Sequence, residues 1–95
     1  MSKPKISLAI VEDNESLRRN LSEMIRREAG WQLAGEFKDG ESALKQLPSI
    51  KPAVVLMDIN LPGMNGVECV ARLTHLLPGT LVIMVTVYDD SDTIF

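Results

Sequence analysis

The sequence has one cysteine, few aromatic residues (one Trp, one Tyr, two Phe) and no excess of basic charge. A single cysteine, Cys69, excludes an internal disulfide framework. No apolar run is long enough for a signal peptide or a membrane span: the first, Ile6–Val11, ends abruptly in Glu12-Asp13. The expectation is a cytoplasmic protein with no membrane contact. Net charge is −3, whereas nucleic-acid binders usually carry a basic face. Arg18, Arg19, Arg26 and Arg27 share one segment with Glu15, Glu23 and Glu28, a mixture that reads as a solvated helix face. Direct nucleic-acid contact by this chain is therefore not expected. No low-complexity tract, repeat or linker interrupts the 95 residues. That length allows one domain, and a composition 45% hydrophobic and 24% charged is globular.

What is present is an alternation of strand and helix patterns. Three near-continuous, β-branched runs occupy residues 6–11, 53–57 and 81–87. Such runs suit strands covered by helices on both faces of a parallel sheet. Residues 32–37 alternate partly, as suits an edge strand. Leu17, Leu21, Met24 and Ile25 form a helical stripe with Asn14 as N-cap and Gly30 past the end. Ala43, Leu44 and Leu47 form a second, behind Asp39-Gly40 and ended by Pro48. Val67, Val70, Ala71, Thr74 and Leu77 form a third, closed by Pro78-Gly79. Asp90-Ser91-Asp92 has the character of a cap for a fourth helix. The order β-α-β-α-β-α-β with right-handed crossovers predicts an open, doubly wound α/β sheet.

In such sheets the ligand site lies beyond the carboxyl ends of the strands. The first strand runs into Glu12-Asp13, the third into Asp58 and the fourth into Thr86. Three carboxylates and a hydroxyl are thus expected to converge. Crowded carboxylates repel and require a cation or protons. Oxygen donors without an accompanying His/Cys set point to a hard divalent ion, with Mg²⁺ expected. The loop Asp58-Ile59-Asn60-Leu61-Pro62-Gly63-Met64-Asn65-Gly66 sets a tight turn directly after the acid.

Glu12-Asp13 after the first strand, Met57-Asp58 followed by Leu61-Pro62-Gly63-Met64-Asn65-Gly66, and Thr86 closing the fourth strand closely resemble the receiver domains of two-component response regulators. The resemblance covers essentially the whole chain. It implies one receiver domain over residues 1–95, C-terminally incomplete, with a flavodoxin-like fold and strand order 2-1-3-4. It further implies that Asp58 is the phosphoacceptor for a sensor histidine kinase and that the domain is a signalling phosphoacceptor, not an enzyme. Asp13 should ligate Mg²⁺ directly, Glu12 largely through water, and the Asn60 carbonyl should add a ligand beside Asp58. Thr86 should bond a phosphoryl oxygen with the Val87 N–H nearby, and Asn60 and Tyr88 should tune access of the hydrolysing water. Parents with this type of receiver often carry a C-terminal helix-turn-helix output domain that binds DNA and regulates transcription.

The chain departs from the family in one respect. The family's fifth strand ends in a lysine that pairs with the phosphoryl group, and Lys3, Lys5, Lys38, Lys45 and Lys51 all precede the fourth strand. With the usual fifth strand and helix absent, an apolar edge over residues 81–87 invites a homodimer or edge-strand oligomer. The missing lysine also makes a phosphorylation-independent interaction module the leading alternative. A nucleotide-binding α/β domain would need a glycine-rich loop where Glu12-Asp13-Asn14 stands. An aspartate-nucleophile hydrolase would place its acids two residues apart after the first strand. His75 reads as a surface cation near a helix end, Cys69 as a small buried hydrophobe, and Trp31 as packing over the start of the second strand.

Overall fold

The structure, a computed structural model, describes residues 4–58, 61, 63, 64 and 66–85. Four strands and three helices alternate: β1 (Ile6–Val11), α1 (Glu15–Arg27), β2 (Trp31–Phe37), α2 (Gly40–Ile50), β3 (Val54–Asp58), α3 (Gly66–Leu76) and β4 (Leu81–Val85). All pairings are parallel and the sheet order is β2-β1-β3-β4. The doubly wound sheet expected from the strand and helix patterns is therefore the fold observed. The strand candidate over 32–37 is an edge strand, starting one residue earlier, at Trp31.

Alternation along the central strands feeds two cores. Ala9, Val11, Val55 and Met57 pack under α2 and α3 with Ala43, Leu47, Cys69, Leu73 and Leu77. Leu8 and Ile10 pack on the opposite face with Ile25 of α1, flanked by Leu21, Trp31 and Leu33. Trp31 thus packs at the start of β2, as its position suggested, and His75 is exposed. Val82 and Met84 join the α2/α3 core, so Leu81 and Ile83 project to the α1 face, where they are 60% and 42% exposed.

Helix α1 begins at its expected cap: Asn14 Oδ1 accepts the Leu17 N–H at 2.9 Å. Glu15 in the first turn and Arg26 and Arg27 in the last complement the helix dipole. The helix closes at Glu28, whose N–H donates to the Ile25 carbonyl. Gly30 lies beyond it, and its carbonyl accepts the Ile6 N–H at 2.8 Å, so the glycine serves the β1–β2 junction and not the helix end. Between Leu8 and Ala9 the β1–β2 register shifts by one residue. Gly35 follows that bulge; a Cβ there would sit 3.1 Å from the Phe37 ring.

Two expectations from the stripes are corrected. Pro48 does not end α2, which runs to Ile50 and stops at Lys51 in a left-handed conformation (φ 52°). The proline forfeits one backbone bond, to Leu44, but the core contacts of Leu47 and Ile50 on either side of it hold the last turn in place. On α3 the buried face is Gly66, Cys69 and Leu73, continuing to Leu77. Val67 is 65% exposed, and Ala71 and Thr74 also face solvent. The face is rotated because the helix must meet both the sheet and α2: Cys69 Sγ lies 3.3 Å from where a Gly40 Cβ would stand.

Candidate functional site

The β1–β3 register ends with Val11 opposite Met57, so the next residues, Glu12 and Asp58, leave adjacent strands side by side. Asp13 follows in the turn to α1. Carboxylate oxygens of Glu12, Asp13 and Asp58 all lie within 4.8 Å of one another. The three strand-end acids picked out in the sequence are therefore brought together at the carboxyl rim of the sheet. Glu12 is only 3% exposed, Asp58 is half-buried and Asp13 is exposed. Asn60 and Thr86, also expected at this site, lie outside the described residues, as do Val87 and Tyr88.

The turn that carries the acids is held at several points. The Glu12 N–H donates to the Phe37 carbonyl at 2.9 Å, and Glu12 Oε2 accepts the Asn14 N–H at 3.0 Å. Burial pushes the Glu12 carboxyl up from an ordinary 4.5 to about 7. The Asn14 amide pulls it down, while the neighbouring Asp13 and Asp58 carboxylates push it up again. The cluster thus holds more negative charge than its surroundings comfortably solvate. An all-carboxylate oxygen donor set of this kind fits a hard divalent cation.

One contact was not foreseen from the sequence. Arg18 was read with its neighbours as part of a solvated face, yet it is half-buried and its Nη1 donates to the Glu12 carbonyl at 2.8 Å. Its signal was its place: the fourth residue of a helix that opens immediately after the acidic turn. Cys69 is fully buried and its thiol is pushed up to about 11, chiefly by burial, in keeping with its reading as a small hydrophobe. Gly63, in the turn after Asp58, has φ 77°, a left-handed conformation that glycine adopts without strain.

Comparison with known proteins points the same way. Residues 8–95 match the family model described as "Response regulator receiver domain". The response regulator GacA of Pseudomonas viridiflava is 34% identical over 85 residues, covering 90% of this chain and 40% of that protein. The transcriptional regulatory protein DegU of Brevibacillus brevis is 31% identical over 86 residues, 90% of this chain and 36% of its own length. The chain therefore spans less than half the length of these curated relatives. Among solved structures, the response regulator domain of Thermotoga maritima CheB superposes with a TM-score of 0.81 at 30% identity, over 92% of this chain and 64% of that one. Parallel order β2-β1-β3-β4, three acids gathered at the ends of β1 and β3, and these matches establish that the chain belongs to the response regulator receiver domain family.

Proposed function

We propose that the chain is the phosphoacceptor receiver of a two-component response regulator, with residues 1–95 forming one such domain and Asp58 as the phosphorylated residue. The observation that carries this reading is the gathering of Glu12, Asp13 and Asp58 within 4.8 Å at the sheet rim. An Asp58 carboxylate oxygen would form the new O–P bond while the P–N bond to a phosphohistidine on a sensor kinase breaks, its electron pair remaining on the imidazole nitrogen. Mg²⁺ held by Asp13 and Asp58, by Glu12 through water and by the Asn60 carbonyl would supply counter-charge to the phosphoryl oxygens. Asp58 is aimed by β3 and Glu12-Asp13 by β1, so the nucleophile and the cation-holding groups come from strands in fixed register. Thr86 and Asn60 keep their roles here on the strength of the sequence motif.

The attached phosphoryl adds about −1.5 to −2 of charge, and the modified domain would act on an output domain. Its relatives, a response regulator and a transcriptional regulatory protein, favour a transcriptional regulator as the parent, acting in the cytoplasm. No helix among the described residues is long and apolar enough to cross a membrane. The domain's role is signalling and not enzymatic turnover of a substrate. A homodimer or edge-strand oligomer is a further proposed partner, supported by exposed Leu81 and Ile83 on a strand bonded, among the described residues, to β3 alone.

The competing reading is an interaction module of the same fold that works without phosphate. Intact mass after incubation with acetyl phosphate and Mg²⁺ separates the two. A phosphoryl adduct on the wild type, lost in Asp58→Asn, is the expected result. No adduct on a folded wild type favours the interaction module.

A further inference from the structure

Among the described residues, the Arg18 side chain bonds the acidic turn through the turn's backbone and not through a carboxylate. Its Nη1 donates to the backbone carbonyl of Glu12 at 2.8 Å. That carbonyl belongs to the peptide joining Glu12 to Asp13, so the plane of this peptide governs where both side chains leave the chain. Four other bonds hold the turn: Glu12 N–H to Phe37 O at 2.9 Å, Asn14 N–H to Glu12 Oε2 at 3.0 Å, Leu17 N–H to Asn14 Oδ1 at 2.9 Å and the Arg18 backbone N–H to Asn14 O at 2.9 Å. None of these four grips the Glu12–Asp13 peptide carbonyl. Arg18 does so from a rigid base, being four residues into a capped, 13-residue helix. Arg18 also lines a cleft of about 270 Å³ with Glu15, Arg19, Ser22, Arg26 and Glu36.

We propose that Arg18 is a positioning residue for the acidic cluster: by locking the Glu12–Asp13 peptide it sets the affinity for a divalent cation without touching the cation. The inference rests on the cation-site reading given above. Its physical basis is preorganisation. Carboxylates held within 4.8 Å of each other repel, and a peptide free to rotate would let them splay apart when no cation is present. The cation would then have to draw the turn back together, at a cost to its binding. Arginine's planar fork fixes such a carbonyl better than a lysine ammonium, which is a flexible point donor.

Ser22 provides the control. It lies on the same helix, 2% exposed, and its hydroxyl contacts the Arg18 carbonyl at 2.9 Å and Glu36 on β2. Ser22→Ala therefore disturbs α1 packing but leaves the Glu12–Asp13 peptide alone. The experiment titrates MgCl₂ into ¹⁵N-labelled wild type, Arg18→Met, Arg18→Lys and Ser22→Ala, following the Asp13 and Asn14 amide shifts, with Tm measured on each in EDTA. Arg18→Met should weaken the Mg²⁺ midpoint about tenfold, the low end for residues that orient metal ligands, while reaching the same saturated shifts. Arg18→Lys should weaken it less, and Ser22→Ala should keep the wild-type midpoint despite a lowered Tm. An unchanged midpoint in Arg18→Met, or in Arg18→Lys if the methionine variant does not fold, overturns the proposal. So does an equal weakening in Ser22→Ala, which would make the effect one of helix stability. Amides that never saturate in the wild type overturn the cation-site reading itself, a failure distinct from the other two.

Discussion

Raising the pH from 5 to 8 in metal-free buffer should destabilise the fold through Glu12. Its carboxyl is buried in the folded chain and holds its proton up to about 7, against an ordinary 4.5. Between those values the folded state binds more protons than the unfolded state, so stability falls as pH rises. The contribution is fully present below about 4.5 and is lost as pH passes about 7. At roughly 1.4 kcal/mol per tenfold change in proton affinity, the loss is about 3 kcal/mol, a large share of a small domain's net stability of roughly 5–15 kcal/mol. Glu12→Gln mimics the protonated acid in shape and can still accept the Asn14 N–H, so its stability should not carry this slope. The assay is urea unfolding at half-unit pH steps in EDTA, followed by far-UV circular dichroism, for both proteins. The wild type should lose stability relative to the glutamine variant as pH rises, and saturating Mg²⁺ at pH 8 should restore it to the wild type. Parallel pH profiles for the two proteins would falsify the assignment of Glu12 as a buried acid that retains its proton.

Other consequences concern the packing and the capping. Leu73→Ala, which empties a fully buried position on α3, should cost about 2–5 kcal/mol in urea unfolding, while Val67→Ala on the exposed face should change stability by less than about 0.5 kcal/mol. Asn14→Ala removes the bond to the Leu17 amide and should cost about 1 kcal/mol while also loosening the acidic turn, visible as faster hydrogen exchange at the first turn of α1. Cys69, buried and with its thiol pushed up to about 11, should resist a thiol reagent at pH 8 in native buffer and react promptly in urea; rapid native labelling would contradict its burial.

The fold was legible where side-chain chemistry and chain direction agree. Residues 8–11 are apolar on both sides of the strand because α1 covers one face and α2 with α3 the other; a continuous run is the direct imprint of that arrangement. Asn14 announced α1 because its short side chain can reach the Leu17 amide only from a cap position. The acids at 12, 13 and 58 were legible as a group because parallel strands deliver their C-terminal residues to one rim, whatever their separation in sequence.

What escaped the sequence reading depended on tertiary partners. The apolar residues of α3 allow two overlapping stripes, one through Val67 and Val70 and one through Cys69 and Leu73. Only the position of Gly40 on α2, close against Cys69, decides between them. Pro48 argued for a helix end on local grounds, but Leu47 and Ile50 gain enough from the core to carry the helix past it. Arg18 belongs to a segment of alternating charge, and residue type alone does not distinguish it from Arg19, which pairs with Glu15 on the surface. Its partner is a backbone carbonyl, and backbone acceptors leave no mark in a sequence. The depth of Glu12 was hidden likewise: an acid after a strand reads as a turn residue until the fold is seen to bury it.

The central claim, that a cation steadies Asp58 while it takes on phosphate, is tested most directly by mapping the modified residue. The protein is treated with a small-molecule phosphodonor in Mg²⁺ or in EDTA, trapped by borohydride reduction, and sequenced as peptides by tandem mass spectrometry. Label confined to Asp58 and dependent on Mg²⁺ is the predicted result; label at another carboxylate, or undiminished label in EDTA, would contradict it.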